Sequence, residues 1–173
     1  TGGDNTAVGY QALIASTTAS YNAAVGSCSL FANTTGTDNT AVGYAALKAN
    51  TTGAYNNAFG TGALQTNTTG CGNTAVDHAL VLNTTGCFNV AMGRSALYDN
   101  TTGKSNIAIG LESLSNNTTA CWNVAVGGCA LFTNTTGAYN TAIGYQALVK
   151  NTTAASNTAV GFRSLCANTT GTA

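Results

Sequence analysis

The chain has 173 residues, the length of one ordinary domain, yet only 6% of them are charged, against roughly 25% in soluble globular proteins. Five basic residues (Lys48, Arg94, Lys104, Lys150, Arg163) balance five acidic ones (Asp4, Asp38, Asp77, Asp99, Glu112), which leaves no electrostatic footprint for nucleic acid or an anionic membrane. No apolar run approaches the ~20 residues that span a bilayer, so membrane insertion is not expected, and near-zero net charge favours association.

One unit is written ten times. Its clearest copy is Asn39 to Tyr55, N-T-A-V-G-Y-A-A-L-K-A-N-T-T-G-A-Y, and the copies begin at Asn5, Asn22, Asn39, Asn56, Asn73, Asn89, Asn106, Asn123, Asn140 and Asn157. The spacing is seventeen except from Asn73 to Asn89, where it is sixteen. That period is too short for the helix pairs of helical solenoids, which repeat at about 33 residues and upward. Thr, Val, Ile, Tyr and Phe favour strands, Gly and Asn punctuate turns, and Pro, which would interrupt a ladder of backbone hydrogen bonds, is absent. The expected fold is all-β, a parallel β-solenoid of ten seventeen-residue coils, one per rung, forming a single array over residues 1–173. Neither end differs from the middle, so the expectation is a segment of a longer array or a subunit that stacks end to end.

In chain order, repeat one carries Ser16 where later repeats carry Asn, and repeat two brings Cys28 and Phe31. Repeats three and four keep the consensus. Repeat five breaks it: Asp77 replaces a recurring Gly, His78 is the only histidine, and one residue is missing before Leu80. Repeats six to eight add Met92, Arg94, Glu112, Cys121, Trp122 and Cys129, and repeats nine and ten return to consensus before Cys166. Counting the first Asn as place one, Ala at place three, Leu at nine and Thr at thirteen and fourteen never vary, and place four is always apolar. Place four and Leu at nine are the expected core columns. Alternation along a strand then sends Ala at three outward, as a small-residue column for close packing against another chain; the other reading places Ala inside a thin two-layered coil.

Asp77 and His78 alone have the look of chemistry, but a general base or metal ligand needs convergent partners, and none recurs beside them. An irregular turn is the expectation, with no catalytic, cofactor-binding or metal site and no enzyme. The six cysteines lack zinc-type paired spacing. Cys71 and Cys87 share a place in consecutive repeats, and rungs ~4.8 Å apart fall within the Cα separation that a disulfide accepts. They are the candidate disulfide.

Nine repeats carry N-T-T, at Asn33, Asn50, Asn67, Asn83, Asn100, Asn117, Asn134, Asn151 and Asn168. Each matches the N-x-[ST] acceptor for glycosylation, as Asn116 does by overlap. Two readings stay open: glycans along one edge of the rod, or Asn side chains stacked as a hydrogen-bonded ladder. The regular Thr ranks also allow an ice-binding face. The aromatic residues before each leading Asn, such as Tyr55 and Trp122, and at place six, such as Tyr44 and Tyr145, are either structural stacks or platforms for sugar rings.

Asn106 to Gly110 (N-I-A-I-G) and Asn123 to Gly127 (N-V-A-V-G) resemble the S-V-A-I-G core of head repeats in trimeric autotransporter adhesins. The fuller N-T-A-V-G-Y-x-A-L unit is similar to repeats of phage tail-fibre and bacterial surface proteins. The resemblance implies a left-handed parallel β-roll, three chains around one axis, and an adhesive or structural stalk. Together these readings predict a structural or adhesive subunit of an extracellular, cell-surface or virion fibre, self-associating end to end, laterally or as a trimer, with glycans on the N-T-T column. The alternative is a ligand-binding solenoid for ice or carbohydrate.

Overall fold

A computed structural model describes residues 2–171. Ten three-residue strands recur once per repeat: β1 (Thr6–Val8), β2 (Ala23–Val25), β3 (Thr40–Val42), β4 (Asn57–Phe59), β5 (Thr74–Val76), β6 (Val90–Met92), β7 (Ile107–Ile109), β8 (Val124–Val126), β9 (Thr141–Ile143) and β10 (Thr158–Val160). They form one parallel sheet in chain order. Every strand pairs in register with the same places of the next repeat, as Ala41 with Ala58 and Val42 with Phe59. The chain is therefore an all-β solenoid, one coil per repeat. The missing residue of repeat five lies outside its strand, so Thr74 still pairs with Val90.

Outside the strand the coil turns, but the ladder between coils continues. The N–H groups of Leu47, Ala49 and Thr51 donate forward to Ala63, Gln65 and Thr68 carbonyls at 2.9 to 3.0 Å, while those of Gly60 and Gly62 donate back to Val42 and Tyr44. Aligning these groups twists the backbone in places. Leu at place nine has a φ between 47° and 54° in all ten coils, a left-handed conformation that costs an L-residue about 1–2 kcal/mol. Burial of a leucine side chain, worth roughly 1.5–3 kcal/mol, offsets that cost. Gly at place five has a φ of 133° at Gly43, and a Cβ there would sit 2.6 Å from the Gly60 carbonyl oxygen, so a side chain at Gly43 would collide with the next coil.

The core differs from expectation in one respect. Ala at three points into the coil and is fully buried at Ala41, Ala58, Ala75, Ala91, Ala108, Ala125 and Ala142, whereas place four points outward. The interior is filled by Ala at three, Leu at nine, and Ala at eight wherever it occurs. The two walls of the coil are close enough that Leu from one wall needs Ala opposite, and Val or Ile at three would overpack the gap. Ala is invariant because it is inside. Among the described residues no helix is long and apolar enough to cross a membrane.

Candidate functional site

Two columns of asparagine run the length of the coil interior. At place one, the Asn39 side-chain amide donates to Asn22 Oδ1 at 3.1 Å and to the Gly53 carbonyl at 2.8 Å. The Asn39 backbone N–H reaches the same Oδ1 at 3.0 Å. At place twelve, Asn50 Nδ2 donates to Asn33 Oδ1 at 2.8 Å and to the same Gly53 carbonyl at 2.9 Å. Two amides from opposite sides of each coil thus grip one carbonyl at place fifteen, and each also hands a proton to the coil before it. The buried amides are satisfied, as burial of a polar group requires.

Place fifteen sets the tightness of the second column. Where it is Gly, Asn-to-Asn bonds are 2.7 to 2.8 Å, as from Asn67 to Asn50 and from Asn83 to Asn67. Where it is Ala120 or Ala154, the bond from the following coil lengthens to 3.3 Å. The methyl group takes space that Gly leaves to the amides. Coil one, which has Ala19, also has Ser16 in place of Asn.

This geometry corrects the glycosylation expectation. Asn33, Asn50, Asn67, Asn83, Asn100, Asn117, Asn134 and Asn151 are fully buried; Nδ2 of Asn33 bonds the Gly36 carbonyl, and Nδ2 of the others makes two hydrogen bonds, as at Asn50. A sugar on Nδ2 would remove a donor and would have no room inside the coil, so the acceptor pattern is a by-product of the ladder. Asn168 is half-buried and bonded to Asn151 and Gly171. The first Thr of each pair also serves the ladder, as when Thr51 Oγ1 donates to the Thr68 carbonyl at 3.0 Å. The second Thr is exposed, at Thr35, Thr52, Thr69, Thr85, Thr102, Thr119, Thr136 and Thr153. It forms a single rank beside a turn.

His78 fills a gap. In a full coil the N–H at place seven donates to the place-six carbonyl of the preceding coil, as Gly62 does to Tyr44. Coil five has no residue at that place, and His78 Nδ1 lies 3.0 Å from the Thr61 carbonyl instead. A carbonyl only accepts, so Nδ1 carries the proton. Asp77, with φ at 69°, takes the Gly position because the shorter path needs only a left-handed turn that Asp tolerates. Among the described residues no three His, Cys, Asp or Glu side chains converge on a metal-sized site.

The candidate disulfide pair is brought together but unbonded. Cys71 and Cys87 Sγ atoms lie 3.0 Å apart.

Compared with protein-family models, characterised proteins and solved structures, the chain matches none.

The surface itself therefore carries the functional reading. Places two and four of every strand face outward, and neither holds a charged residue in any coil. Phe59, Met92, Ile107, Ile109 and Ile143 are about two-fifths exposed there (38 to 42%). In sequence, aromatic rows flank this face: Tyr55, Phe88, Trp122 and Tyr139 before the strand, and Tyr44, Tyr145 and Phe162 after it, all exposed. Trp122 and Tyr139 stack with centroids 5.0 Å apart and planes 3° from parallel, and Tyr145 stacks on Phe162 at 5.8 Å. Taking the apolar strand column for core hid this face, although the lack of any charge at two adjoining places signals it.

Proposed function

We propose that the chain is a rigid structural or adhesive rod of an extracellular, cell-surface or virion fibre, and that it associates with copies of itself through the strand face. The observation that carries this reading is the uncharged apolar column at place four, repeated through ten coils on an exposed sheet. Contiguous apolar surface of this kind marks an interaction site. A flat face shared by identical chains favours a closed symmetric assembly, in keeping with the three-chain arrangement implied by the resemblance to adhesin head repeats. The coil interior supplies stiffness through the amide columns and the backbone ladder. The exposed second Thr of each pair is the part of the N-T-T column open to sugar.

Sedimentation of the chain and of an I109K variant tests the reading. We expect the wild type to sediment as an oligomer and I109K as a monomer with an unchanged circular dichroism spectrum; a monomeric wild type at tens of micromolar would sink the proposal. The stacked, exposed pair Trp122 and Tyr139 supports a second reading, carbohydrate binding, which predicts quenching of Trp122 fluorescence by oligosaccharides.

A further inference from the structure

All six cysteines are unbonded and half-buried, and two of them meet. Cys71, in coil four, points its thiol at Cys87 Sγ in coil five, 3.0 Å away. Its backbone N–H donates to the same sulfur at 3.1 Å. Cys87 Sγ thus collects two donors from one neighbour, while its own proton faces the Thr85 carbonyl at 3.5 Å. Lys104 occupies the same place in coil six, and its charge acts on Cys71 against the larger effects that raise that thiol. Donors that converge on one sulfur favour it as the nucleophile of the pair. Three of the remaining four thiols have other neighbours: Cys28 faces Gln11, Cys129 faces Glu112, and Cys121 accepts the Lys104 N–H.

The position of the pair is also particular. Coils four and five meet where the repeat loses a residue, and His78 already replaces a missing backbone donor across that junction. Both side-chain ties fall on one seam.

We propose that Cys71 and Cys87 form a reactive dithiol, with Cys87 the attacking sulfur, which reacts with low-molecular-weight disulfides such as oxidised glutathione and closes into a staple across the shortened coil. Cys87 thiolate attacks one sulfur of the small disulfide; the S–S bond breaks and one thiolate leaves with its electron pair. Cys71 then loses its proton to solvent and attacks the Cys87 sulfur of the mixed disulfide, expelling the second small thiolate. Two protein thiols are oxidised and one small disulfide is reduced to two thiols. The Cys71 thiol is held above its ordinary pKa by its hydrogen bond to Cys87 and by burial, in keeping with its role as the second, resolving sulfur. Stacked rungs at ~4.8 Å fall within the Cα separation that a disulfide accepts.

Cleavage after Lys48 and Arg94 yields peptide 49–94, which contains these two cysteines and no other. The full chain is equilibrated at stepped ratios of reduced to oxidised glutathione, trapped with N-ethylmaleimide, digested and weighed. We expect peptide 49–94 to lose both alkylation sites and two hydrogens at a proportion of oxidised glutathione about tenfold lower than modifies the other four thiols, because the second step is intramolecular. The preference should vanish in denaturant. C71S should accumulate glutathione on Cys87, and C87S should leave Cys71 largely unmodified. Glutathione added singly to all six positions at equal ratios overturns the dithiol, and equal trapping in the two variants overturns the assignment of the attacking sulfur.

Discussion

At the scale of single residues, the asparagine amide is the group on which the coil depends. Asn67 accepts at Oδ1 from Asn83 and donates at Nδ2 to Asn50 and Gly70; the Gly70 carbonyl keeps its bond from Asn56, so N67A strands one donor, on Asn83, and one acceptor, on Asn50. A loss of about 2–4 kcal/mol in urea unfolding is expected, from penalties of ~1–3 kcal/mol per unsatisfied buried group. N67D is the sharper test. A carboxylate there faces the Asn50 oxygen and the Gly70 carbonyl with no proton to offer, and burial raises its pKa above the unfolded value. The folded state then binds the proton more tightly than the unfolded chain, so stability lost at pH 7 returns as pH falls through the folded pKa. N67D should be less stable than N67A at pH 7 and regain stability at pH 4; pH-independent unfolding would contradict the ladder. Leucine supplies a second test, because Leu97 is buried at a φ of 50°. L97M conserves volume and should cost under about 1.5 kcal/mol. L97I, β-branched in a left-handed conformation, should cost more in the same unfolding assay.

At the scale of one coil, repeat five shows how the architecture absorbs an irregularity. His78 donates where the absent place-seven N–H would have done. H78A should therefore destabilise by about 1 kcal/mol, and inserting one serine after His78 should make H78A nearly silent. A double-mutant cycle reads that coupling directly. The coil also shows what a sequence discloses and what it withholds. Period, strand position and coil number were legible because Asn5, Asn22 and their successors mark each turn without ambiguity. Which strand face lies inside was not, because alternation defines two faces and assigns neither to the core. Val42 and Ile109 look like core by hydropathy and lie outside, since a thin coil has room only for Ala41 and Ala108 beside leucine. N-T-T spells a modification motif, but a motif carries no burial, and only the folded coil puts Asn50 and Asn67 amides within bonding distance. The role of His78 needs the geometry of a carbonyl one coil away.

At the scale of the whole molecule, contacts join each coil to its neighbours and to nothing more distant, so stability grows as coils are added. Strand-face and interior substitutions should separate cleanly. V42K should leave the unfolding midpoint of the isolated chain nearly unchanged while weakening self-association, whereas A41L should overpack the coil and cost about 1–3 kcal/mol or more. Comparing unfolding with sedimentation for the two variants distinguishes the faces. The amide columns carry one further implication. Every amide in them with an asparagine in the coil before it donates in that sense, as Asn56 to Asn39 and Asn67 to Asn50. The rod is consequently a vector: a coil face turned toward the amino terminus presents amide hydrogens, and the opposite face presents amide oxygens. Two such rods can continue the columns across a joint only head to tail, because meeting in the opposite sense would set hydrogen against hydrogen or oxygen against oxygen. Any filament built by coaxial stacking of this coil is polar, with two chemically distinct ends.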